Sequence, residues 1–113
     1  MTKPDWSRAE VERHKLLDYL LSTTHPRGRT KAAFFRSLGF TTDNWSDLVK
    51  ALLKHISEGR ITACETTQYG TLYQVDGSLY SITNKPFSIR SIWLVKPGEQ
   101  VPRFVTAYPL KTR

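Results

Sequence analysis

Trp45-Ser46-Asp47-Leu48-Val49-Lys50-Ala51-Leu52-Leu53-Lys54-His55-Ile56-Ser57-Glu58-Gly59-Arg60-Ile61-Thr62-Ala63-Cys64-Glu65-Thr66-Thr67 is the stretch in which the chain changes its periodicity. Trp45, Leu48, Val49, Leu52, Leu53 and Ile56 recur at spacings of three and four, which is the apolar face of an amphipathic helix. Thr41-Thr42-Asp43-Asn44 places capping side chains ahead of it, so the helix runs through about Ser57 and closes at Glu58-Gly59. Beyond Gly59 the period falls to two. Ile61 to Thr67 is rich in threonine and reads as a strand. A helical first half and an extended second half define an α+β chain.

Working back from that boundary, residues 30–38 read as a short helix. Thr30 is its N-cap, Phe34, Phe35 and Leu38 form its apolar stripe, and Gly39 stops it. Residues 5–22 read as the first helix, capped by Asp5 or Ser7, with Val11, Leu16, Leu17, Leu20 and Leu21 facing the core and His14 on the solvated side. His25-Pro26 ends it, because a residue before proline is pushed out of helical dihedrals.

Working forward, Tyr69-Gly70 reads as a turn, Thr71 to Val75 as a strand and Asp76-Gly77 as a second turn. Leu79 to Ile82 is a short strand before the Asn84-Lys85-Pro86 turn. Phe87 to Lys96 is the longest strand, closed by Pro97-Gly98, and Val101 to Tyr108 is the last. The expected architecture is two to three N-terminal helices on one face of a roughly four-stranded antiparallel sheet. Residues 1–113 form one domain, helical over about 5–58 and sheet-forming over about 60–109.

The 113 residues carry 17 Lys and Arg against 10 Asp and Glu, a net charge of +7, with an isoelectric point near 9.8. A hydrophobic content of 39% supports a folded core. The positive excess points to a polyanion, with nucleic acid ahead of a membrane surface. It is concentrated between Asp18 and Asp43, where Arg27, Arg29, Lys31 and Arg36 meet no acid. Cys64 is single, so there is no disulfide framework, and in a strand it reads as a small packed apolar residue. No apolar signal region opens the chain and no window has the length of a membrane span; a cytoplasmic protein is expected.

The chain has no glycine-rich phosphate loop, no HExxH and no GxSxG. His14, His25 and His55 stand at unrelated spacings and the acids are scattered, so no metal and no cofactor is expected. What the residues suit is metal-free chemistry on a phosphodiester, which needs a base, an acid and cations for the phosphate oxygens. His25 and Lys31, with Ser91, Thr106 and Tyr108 on the last two strands, are the candidate catalytic groups. Arg27, Arg29, Arg90, Trp93, Arg103 and Tyr73 are the candidate substrate contacts, and Tyr69 adds a second stacking surface beside Tyr73. Strict alternation puts Ile89, Ser91, Trp93 and Val95 on one side of the long strand, opposite Ser88, Arg90, Ile92, Leu94 and Lys96. On the last strand it groups Phe104, Thr106 and Tyr108.

Helices followed by four strands, with a Lys/His/Arg set at the helices and hydroxyls or aromatics on late strands, resemble the barnase–EndoU–colicin–RelE group of metal-independent ribonucleases. More narrowly, His25-Pro26-x-Gly28-x-x-Lys31-Ala32-x-Phe34-Phe35-Arg36-Ser37-Leu38-Gly39-Phe40, Tyr69-Gly70-x-x-Tyr73-x-Val75-Asp76-Gly77 and Pro102-Arg103-x-Val105-Thr106-Ala107-Tyr108-Pro109 resemble a small bacterial family of uncharacterised domains. The ribonuclease resemblance implies a bacterial toxin that cleaves tRNA or mRNA and is restrained by an antitoxin or immunity protein. The competing expectation is a basic module that binds nucleic acid, or an acidic protein partner of antitoxin or immunity type, without chemistry.

Overall fold

A computed structural model describes residues 3–22 and 29–110, together with the backbone but not the side chains of Arg29 and Thr30. Its elements in chain order are a 3-10 turn (Trp6–Arg8), α1 (Arg13–Lys15) running into a π-helix (Leu16–Leu20), α2 (Arg29–Ser37) and α3 (Trp45–Glu58). Four strands follow: β1 (Arg60–Thr67), β2 (Gly70–Tyr80), β3 (Pro86–Val95) and β4 (Arg103–Pro109). The strands form one antiparallel sheet in the order β1-β2-β3-β4. The helices cover one face: Leu16, Leu20, Phe35, Phe40, Leu48 and Leu52 are buried against Val75, Leu79, Ile89, Trp93, Phe104 and Ala107. The expected α+β layout is the observed one.

The first helix is shorter than its apolar pattern predicts. Asp5 does cap, accepting from the Ser7 N–H at 3.1 Å, but only for one turn. The next residues then run beside the edge of β4. Glu10 N–H donates to the Pro102 carbonyl at 2.9 Å, Phe104 N–H donates to the Glu10 carbonyl at 2.9 Å, and Arg103 pairs with the Glu10 carboxylate at 2.8 Å. Ladder bonds and an ion pair to a distant strand thus outweigh local helix propensity. Where helix resumes it widens, with Leu21 N–H bonding the Leu16 carbonyl at 2.7 Å across the π segment. The wider turn lets Leu16, Leu20 and Leu21 all point inward and leaves Tyr19 at the rim.

α2 ends as its sequence demands. Gly39 has φ +97°, Gly39 N–H bonds the Arg36 carbonyl at 2.9 Å and Phe40 N–H the Phe35 carbonyl at 3.1 Å, which is a Schellman closure. A side chain at Gly39 would also meet Ile82 at 2.9 Å.

Asp76-Gly77 is not a turn: β2 passes straight through it, paired with β3 from Thr71 to Tyr80 and with β1 as far as Asp76. The glycine is there for proximity, since a Cβ would lie 2.9 Å from Gly59 Cα at the end of α3 and 3.4 Å from His55 Nδ1. Cys64 also departs from expectation. β1 is an edge strand exposed along Arg60–Thr66, so its thiol is exposed and not packed.

Candidate active site

Two polar clusters lie on opposite sides of β3 and β4. The inner one is closed. Trp93 Nε1–H donates to Ser91 Oγ at 2.8 Å, and Ser91 Oγ lies 2.8 Å from His55 Nε2, all three residues being fully buried. Burial pushes the His55 imidazole below its ordinary value, offset only in part by the backbone of Ser78, Val75 and Gly77 and by the Asp76 charge. His55 Nδ1 meets no hydrogen-bond partner. Ser91 and Trp93, both proposed for the site from sequence, are therefore core residues holding α3 to the sheet. Tyr73 is on this face too, edge-on to Trp6 at 5.7 Å, while Trp6 meets Trp93 at 6.1 Å.

The outer cluster begins with a bulge. The β3–β4 register slips between Ile92 and Trp93, so that Ile92 faces Thr106 while Trp93 faces Phe104. One extra residue, Val105, turns Phe104 inward and keeps Thr106 and Tyr108 on the uncovered side, opposite Ile92 and Arg90. Strict alternation had grouped Phe104 with the other two; the bulge is why it does not belong with them.

Thr106 then meets the helical layer at the β4 edge. Its Oγ1 is 3.3 Å from the Tyr19 hydroxyl, which accepts a hydrogen bond from Lys31 Nζ at 2.6 Å. Lys31 Nζ also stands 5.1 Å from the Tyr19 ring centre. No carboxylate pairs with Lys31 among the described residues. Two residues further along β4, about 7 Å at strand rise, Tyr108 approaches Arg90. The Arg90 guanidinium is gripped in a fork by Asp76, at 2.8 and 2.9 Å. That fork, with a further contribution from the Tyr108 phenol, holds Arg90 above its ordinary value. The same hydrogen bond holds the Asp76 carboxyl below the usual carboxylate range, against its partial burial.

Of the residues singled out in the sequence, Lys31, Thr106, Arg90 and Tyr108 are thus brought to one side. Arg103 is engaged elsewhere, by Glu10 at 2.8 Å and Glu99 at 3.4 Å. His25 and Arg27 lie outside the described residues, as does the side chain of Arg29. Tyr19 escaped the sequence reading, because its only signal was a phenol just ahead of the core leucines Leu20 and Leu21 in a pattern that reads as plain α-helix. A groove lined by His14, Lys15, Asp18, Tyr19, Val105 and Thr106 opens beside it.

Residues 3–111 match the family model described as "Domain of unknown function (DUF6883)". The chain belongs to the DUF6883 family. No curated protein sequence matches it. Among solved structures, this DUF6883 domain is similar to a chain of the "Contact-dependent growth inhibition toxin - immunity protein complex from Klebsiella pneumoniae 342". The TM-score is 0.72 at 22% identity, over 95% of this chain and 97% of that one. At that identity the likeness establishes a shared fold. No helix among the described residues is long and apolar enough to cross a membrane.

Proposed function

We propose that this domain is the RNA-cleaving toxin half of a toxin–immunity pair, acting on phosphodiesters without a metal ion. The observation that carries the reading is the Lys31–Tyr19–Thr106 chain: an ammonium with no carboxylate partner among the described residues, donating to a phenol that sits beside a strand hydroxyl at an open groove. An ammonium donor on the phenol oxygen stabilises the charge that oxygen acquires when it gives up its proton, so Tyr19 can act as an acid toward a leaving oxygen. Lys31 and Thr106 supply donors for the phosphate oxygens. Tyr108 extends the same polar row along β4, with Arg90 fixed behind it by Asp76. The net charge of +7 favours a polyanionic substrate, and the likeness to a chain from a toxin–immunity complex favours a role in such a pair.

The alternative is a basic module that binds nucleic acid or an acidic immunity-type partner without chemistry. It is favoured by one observation, that the Arg90 charge is already taken by Asp76. Incubation with total RNA in the presence of a chelator separates the two. The toxin reading expects fragmentation that Lys31→Ala and Thr106→Val each slow by about a hundredfold. Intact RNA, with salt-dependent retention of the protein on it, removes the enzyme and leaves the binder.

A further inference from the structure

The groove in front of Tyr19 does not end at that residue. One turn back along the same helix it is bordered by His14, whose side chain is 59% exposed and whose Nδ1 lies 3.4 Å from Glu12 Oε2. Glu12 is thus a carboxylate neighbour of this imidazole, the side-chain type best suited to taking up a proton from a substrate. Acid–base cleavage of a phosphodiester needs two proton-transfer groups, and the Lys31–Tyr19 pair supplies one of them. We infer that His14 is the other, a general base, and that the groove takes a ribonucleotide phosphodiester with its 2′-hydroxyl toward the imidazole.

This inference rests on the ribonuclease reading above and specifies its chemistry. His14 removes the proton of the ribose 2′-hydroxyl, the 2′-oxygen bonds to phosphorus, and the bond from phosphorus to the 5′-oxygen breaks. That oxygen takes the Tyr19 proton. One proton is gained by His14 and one lost by Tyr19, so the products are a 2′,3′-cyclic phosphate and a 5′-hydroxyl, with no oxidant, reductant or metal in the balance. The charged groups around His14 are Glu12, Arg13, Lys15 and Asp18 on its own segment, Arg13 standing over the Trp45 ring, and Lys31 on α2 at the Tyr19 hydroxyl. Lys15 and Lys31 offset the two carboxylates for an incoming phosphate. The chain places an imidazole, a phenol and a strand hydroxyl around one opening, and a DNA strand, which lacks the 2′-hydroxyl, is not a substrate.

The test is cleavage of a short oligoribonucleotide in chelator. His14→Ala slows it by 10²–10⁴-fold, added imidazole restores part of the rate, and Glu12→Gln costs only several-fold because the carboxylate neighbours the ring without transferring the proton. Product ends carry the cyclic phosphate. His14 is exposed, so the variant keeps the wild-type melting temperature. A His14→Ala rate within threefold of wild type, or a loss that imidazole does not restore, overturns the assignment. If Lys31→Ala and Thr106→Val are slow in that same assay, the ribonuclease reading survives without His14. No cleavage by the wild-type protein removes both.

Discussion

Ser91 and Thr106 are both hydroxyls on the last two strands, and they have opposite fates. Ser91 sits inside, giving its oxygen to Trp93 and meeting His55, with no access to solvent. Thr106 sits at the open edge of β4, joined through Tyr19 to an ammonium that no described carboxylate neutralises. The lesson is that a polar residue in a sheet has one of two uses. In the core its hydrogen bonds go to other protein groups and it holds elements together; at an edge some capacity is left for a ligand.

The contrast can be broken most violently at Trp93. Trp93→Ala should cost about 3–5 kcal/mol in denaturant unfolding, since the indole fills the space between Trp6, Phe104 and the helices. A variant that unfolds at the wild-type midpoint but loses RNA cleavage would place Trp93 in the site after all. Next in size is Lys31→Ala, for which the proposed activity expects a hundredfold loss of cleavage, about 2.7 kcal/mol of barrier, with an unfolding midpoint close to wild type. Ser91→Ala should do the reverse. It strands the Trp93 N–H and a ring nitrogen of His55 and lowers stability by about 1–3 kcal/mol, while the fraction still folded cleaves at the wild-type rate. Equal losses of rate in the two variants would abolish the division between the faces.

Acid sharpens the same comparison. His55 binds a proton more weakly folded than unfolded, so its contribution is intact above its ordinary value of about 6.5 and is lost as the pH falls below it. Asp76, also depressed, adds a second loss below about pH 4. Stability measured from pH 7 down to pH 3 should therefore fall in both ranges, and Asp76→Asn should flatten the lower one. A rise between pH 7 and pH 5 would contradict the buried neutral imidazole. The smallest effect on stability is expected from Thr106→Val, which keeps the branched shape at the edge and should leave the melting temperature within a degree or two while cleavage slows about a hundredfold.

Much of the fold was legible. The change of period at Gly59, the helix that precedes it and the Gly39 closure all follow from local chemistry. The four strands lie where alternation put them, except that β2 absorbed a turn-like Asp76-Gly77. There the glycine answers a helix end packed against the strand, which no neighbour in sequence announces. The candidate site was legible in residue types and not in their grouping. Lys31, Thr106, Arg90 and Tyr108 were recognisable as chemistry-bearing groups; Ser91, Trp93 and Tyr73 were recognisable on the same grounds and belong to the core face. The bulge at Val105 and the Tyr19 bridge were invisible.

Sequence alone determined the order of helices and strands, the apolar faces and the excess of positive charge, because each of these is set by neighbours within a few residues or by a sum over the chain. Which polar groups face one another was decided only when β4 slipped by one residue against β3 and the first helix gave up its opening turns to lie along the sheet edge. Both events depend on hydrogen bonds between segments far apart in the chain, and the energy of such bonds is written in no single stretch of it.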